Sequence, residues 1–164
     1  MNSTFPGEHF LGDDFDTDLI LTFLTELQLL EQAVVRAGFT KPGRIRGTTQ
    51  PDWVRFVRHI ERRFRPSCSV ELQEAVNYLL RDPNKLALRR KRLQSSLPGE
   101  TASAHSDIIW LSELVQETGN KLTHGIPFLK KGDVDSAQIM AALMVVEAFS
   151  YCDPTIERLL THLQ

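Results

Sequence analysis

ILTFLTELQLLEQAV, residues 20–34, decides the fold. Ile20, Phe23, Leu24, Leu27, Leu30 and Val34 recur three and four residues apart, the period of one face of an α-helix. Asp16 and Asp18 precede the stripe, where the positive end of a helix dipole favours acids, and Gly38 ends the run as a C-terminal glycine does.

Working outward, the same period returns in five further segments. After a loop over Thr40–Gln50, Pro51 opens a second helix from a first-turn position that suits proline. Trp53, Phe56, Val57, Ile60 and Phe64 mark its buried face, Arg55, Arg58, Arg62 and Arg63 the other, and Pro66 stops it. Ser69 caps a third helix with Leu72, Val76, Leu79 and Leu80 inside, broken by Pro83. Lys85 to Arg92 reads as a short basic helical piece, and Gln94 to Ser103, with Pro98-Gly99, as a loop. A fourth helix is expected over about Ser106–Lys121, with Ile108, Leu111, Val115 and Leu122 on its apolar side, followed by a connection over Thr123–Val134. Asp135 caps a fifth, with Ile139, Ala142, Leu143, Val146 and Phe149 buried. Asp153-Pro154, a capping acid followed by an N1 proline, starts a sixth with Ile156, Leu159, Leu160 and Leu163. No segment alternates with period two, and no repeat appears. The expected fold is all-α, an antiparallel bundle of five to six helices in one domain over residues 1–164, with an irregular segment at 1–14.

The 164 residues suffice for a core without disulfides or metal. Two distant cysteines, Cys68 and Cys152, suggest neither a zinc site nor a disulfide framework. No apolar stretch is long enough to span a membrane and no secretory signal is visible, so a cytoplasmic location is expected. The net charge of −2 is unevenly spread. Residues 1–40 hold seven acids and one base, residues 41–92 fourteen bases and five acids, and residues 93–164 four bases and nine acids. The basic middle either pairs with the acidic first and fourth helices or meets an anionic partner such as RNA. Trp53 and Trp110 lie on or beside apolar stripes and read as core, and no aromatic residues interleave with the bases as a base-stacking platform requires.

Motifs for nucleotide loops, metalloproteases, hydrolase nucleophiles and calcium loops are absent, the five histidines form no metal-spaced pair, and no cofactor is implied. The informative run is Glu117-Thr118-Gly119-Asn120-Lys121-Leu122-Thr123-His124-Gly125, at the end of the fourth helix. Asn-Lys-Leu-Thr-His-Gly resembles the Arg-Asn-x-Leu-x-His-Gly signature of the HEPN superfamily, helical-bundle proteins of prokaryotic toxin–antitoxin and phage-defence systems. Gln50-Pro51-Asp52-Trp53 and the Tyr78-Leu79-Leu80-x-Asp82-Pro83 turn are similar to HEPN-like sequences as well.

The resemblance implies a metal-independent endoribonuclease that dimerises, so that two motif copies face each other across one cleft. The family arginine stabilises charge on the phosphate as the RNA 2′-hydroxyl attacks; the histidine moves protons or orients the phosphate. Carried over, His124 is the histidine and Asn120 the polar neighbour that positions the pair. The arginine position is Gly119, and the longer permitted spacings fall on Thr118 and Glu117. None is basic, which costs on the order of 10² or more in rate. The chain as written is therefore expected to be inactive or impaired, and the alternative is a non-catalytic interaction or regulatory module. Where some relatives carry a tyrosine modified by a partner nucleotidyltransferase, this chain has Ile126. Lys121, Arg55, Arg58, Arg62 and Lys130 are the RNA-contact candidates. A second copy, RNA and a cognate antitoxin or regulator are the expected partners. For Gly119 itself a helix C-cap is one structural explanation, against which Leu122 continues the stripe.

Overall fold

The computed structural model describes residues 14–81, 107–125 and 134–163, with side chains described at 17–81, 107–123 and 134–163. Among these residues six α-helices and one short β-ribbon succeed one another: α1 (Asp14–Arg36), β1 (Thr40–Pro42), β2 (Thr49–Pro51), α2 (Trp53–Ile60), α3 (Val70–Leu79), α4 (Asp107–Gly125), α5 (Ser136–Ser150) and α6 (Pro154–Leu163). A 3-10 turn at Pro66–Cys68 separates α2 from α3. The fold is an all-α bundle, as the periodicity predicts. The segments expected as a basic helical piece at 85–92 and a loop at 94–103 lie outside the described residues.

α5 is the centre of the bundle, packed on α1, α3 and α4, while α1 also packs on α6 and α2 on α4. Buried residues cover most of its circumference, Ile139, Ala142, Leu143, Val145, Val146 and Phe149 among them, as a central helix requires, and Met140 and Glu147 mark its exposed side. Phe149 meets Phe64 at 5.3 Å and Phe56 at 6.4 Å between ring centroids, joining α5 to the aromatic face of α2. The stripe of α1 is inside, with Phe23, Leu30 and Val34 fully buried. No single helix among the described residues is long and apolar enough to cross a membrane.

Helix ends follow the expected chemistry in most places. Gly38 takes a φ of +99°, its N–H donates to Val35 O at 3.0 Å and the Phe39 N–H to Val34 O at 3.1 Å. Those two bonds are the Schellman pattern, which needs a residue free to adopt the left-handed conformation. Ser69 Oγ accepts from Leu72 N at 3.2 Å, and Asp135 Oδ1 from Gln138 N at 2.7 Å, so both caps stand where they were read. Asp153 Oδ2 accepts from the Thr155 and Ile156 amides at 3.1 and 3.2 Å.

Three expectations are corrected. Thr40–Gln50 is not plain loop: Thr40 pairs with Pro51, Lys41 with Gln50 and Pro42 with Thr49 in an antiparallel ribbon. Three residues a strand are too few for alternation to show, and both prolines sit at strand ends, where a missing donor costs nothing. Pro51 consequently closes β2 rather than opening α2. Asp52 is the cap, its carboxylate accepting from Arg55 N at 3.2 Å. Finally, α2 ends at Ile60, so Arg62, Arg63 and the still buried Phe64 follow it in the turn.

Candidate functional site

The Asn-Lys-Leu-Thr-His-Gly run occupies the C-terminal turns of α4. Helix continues to Gly125, past the end expected near Lys121, so Asn120 and His124 stand four residues apart on one continuous helix. Leu122 is fully buried and anchors this end in the core. The side chain of His124 lies outside the described residues, as do Ile126, Lys130 and Lys131.

Gly119 sits inside α4, so a capping role is excluded. A Cβ built on it would stand 2.6 Å from Leu27 Cδ2 and 3.9 Å from Phe23 Cε2. The glycine therefore marks a close approach of α4 to α1, and a side chain begun there starts toward α1. The preceding Thr118 is buried and held from two sides: it donates to Leu114 O at 2.9 Å and accepts from Gln138 Nε2 at 3.1 Å. Gln138 Oε1 accepts from Arg81 at 3.4 Å, and Arg81 lies 3.8 Å over the Tyr78 ring. Tyr78 donates its hydroxyl to Asp135 Oδ2 at 3.1 Å. Burial, then the Asp135 charge, pushes the Tyr78 phenol above its usual range. This polar chain ties α3, α5 and α4 together next to Gly119.

Between α1, the ribbon and α4 lies a cavity of about 580 Å³. Gln116, Gly119, Asn120 and Thr123 contribute its α4 wall at helical spacing. Opposite them α1 supplies Leu27, Gln28 and Glu31, and the ribbon supplies Lys41 and Gln50. Trp53 closes the inner side, and its indole N–H donates to the Glu31 carboxylate. Burial raises the Glu31 pKa above its ordinary 4.5, and the Trp53 bond only partly offsets it. Gln50 Nε2 donates to Pro42 O and Gln116 Nε2 to Ser112 O, each at 3.1 Å, so both amides turn a carbonyl oxygen free to accept. Of the residues read from the sequence, the cavity brings together Gly119 and Asn120. It leaves out Lys121, whose ammonium lies 4.0 Å from Glu117 one turn back.

The arginines of α2 do not join this cavity. Arg55 is exposed and lies 5.8 Å from the Phe39 ring centroid, Arg58 is half-buried, and Arg62 is exposed beyond the helix end. His59 and Arg63 reach a different acid, Asp153 Oδ1, at 3.0 and 3.1 Å. Among the described residues no three His, Cys, Asp or Glu side chains converge as a metal site would need. Cys68 and Cys152 are free thiols.

Glu31 and Lys41 were not singled out from the sequence. One signal was present: Glu31 falls four residues after Leu27, at the edge of an otherwise apolar stripe, where an acid faces desolvation. Comparison with protein-family models, with curated proteins and with solved structures gives no match.

Proposed function

We propose that this chain is a HEPN-like helical domain without ribonuclease activity, working as a binding or regulatory module. The observation that carries this reading is the packing of position 119. It holds no cation, and its Cβ direction leads to Leu27 and Phe23 of α1, while Gly119 itself lines the cavity that contains Glu31. An arginine there would start against Leu27 and share its cavity with the Glu31 carboxylate, which competes with a phosphate for the guanidinium. The family reading itself rests on the Asn-Lys-Leu-Thr-His-Gly run at the end of a late helix in an all-α bundle. In this reading the module acts in the cytoplasm through a second copy of the chain or a cognate regulator. RNA remains a candidate ligand of the exposed Arg55 and Arg62.

An RNA-cleavage assay in chelator tests it, comparing the chain with Gly119→Arg. The reading expects neither to cut. Cleavage by Gly119→Arg that is lost on adding His124→Ala would instead make the domain a disarmed nuclease.

A further inference from the structure

Two unlike charges, Glu31 from α1 and Lys41 from β1, line the same cavity, yet no ion pair joins them among the described residues. Glu31 already accepts the Trp53 indole N–H. A carboxylate has about four acceptor positions, so it retains capacity for a cationic donor. The carbonyl oxygens of Gln50 and Gln116 add neutral acceptors to the same walls. Glu31, when ionised, offers only acceptors, whereas Lys41, on the exposed ribbon beside its cross-strand partner Gln50, offers only donors. A cavity of about 580 Å³ falls within the range that encloses small organic ligands. Its lining carries no net charge from these two groups, so a ligand with one excess charge would leave one of them unanswered.

We infer that the cavity between α1, the ribbon and α4 binds a small zwitterion of free amino-acid size, its ammonium on Glu31 and its carboxylate on Lys41. Desolvation already disfavours the Glu31 anion, and a bound cation restores the compensation that water no longer supplies. Leu27 and Pro51 give the ligand's aliphatic part an apolar wall. Binding at this place would be felt by Asn120 and Thr123, on the helix that ends with His124. The inference is independent of whether the domain cuts RNA.

The test is isothermal titration calorimetry of the full chain against the free L-amino acids, one at a time, at neutral pH. At least one is expected to bind with a Kd below about 1 mM, and Glu31→Gln and Lys41→Met are each expected to weaken it by about tenfold or more. Glu31→Gln keeps an oxygen for the Trp53 N–H, and Lys41 is exposed, so both variants retain the cooperative unfolding that serves as control. On the unaltered chain, the decarboxylated amine of the binding amino acid should bind correspondingly more weakly. Absence of binding by every amino acid at about 10 mM overturns the inference. So does an affinity unchanged in either variant, or an amine that binds as well as its parent.

Discussion

Asp153 does three things with one carboxylate: it caps α6 through two amides and receives His59 and Arg63 from the α2 end of the molecule. Burial acts to raise its pKa, but the bonds from His59, Ile156 and Thr155 together outweigh it and hold the group below its ordinary 3.8. A depressed acid stabilises the fold above its unfolded pKa and loses that contribution as pH falls through the folded value. Asp153→Ala should therefore cost about 2–4 kcal/mol near neutrality, the sum of a lost cap and lost charge-assisted bonds. In urea titrations across pH, that deficit should hold steady above the ordinary carboxylate range and shrink in acid below 3.8. Glu31 carries the opposite sign. Its raised pKa makes the ionised form a burden above the folded value and none below 4.5. Glu31→Gln should unfold at a higher temperature than the parent chain at neutral pH, and the advantage should vanish in acid. A calorimetric pH series on the two proteins checks this.

Two glycines show how elements set the cost of one substitution. Gly38 ends α1 at φ +99° with open space around a built Cβ, so its constraint is conformational. Gly119 lies in helix with ordinary backbone, so its constraint is space against Leu27. Gly38→Ala is expected to destabilise by about 1–2 kcal/mol, a left-handed cost. Gly119→Ala should fall within about 1 kcal/mol of neutral, because better helix propensity offsets displacement of Leu27 toward the adjoining cavity. Denaturant titration of both variants separates the two causes. Elements were also where the sequence was most readable. The stripe of α1 and the caps Ser69, Asp135 and Asp153 announce themselves by local periodicity and capping chemistry, which depend on neighbours within a turn. The ribbon did not, because its three-residue strands are shorter than their own pattern and are held by pairing across a loop.

For the whole molecule, the core centred on α5 sets the stability. Phe149 is fully buried and meets rings from α2 and its following turn, so Phe149→Ala should cost about 3–5 kcal/mol in equilibrium unfolding. The candidate site was legible only by halves. Gly119, Asn120 and His124 share one short run of sequence, whereas Glu31, Lys41, Gln50 and Trp53 line a cavity with Gly119 and Asn120 only through tertiary packing. No local pattern records such a meeting, apart from an acid at the edge of an apolar stripe. The proposed function turns on what the α4 wall can do without a cation at 119. The most direct measurement is a time course of RNA cleavage in chelator by this chain, by Gly119→Arg and by Gly119→Arg with His124→Ala. The proposed function requires intact RNA in all three. Cutting by Gly119→Arg alone would contradict it and return the site to a nuclease that lacks one residue.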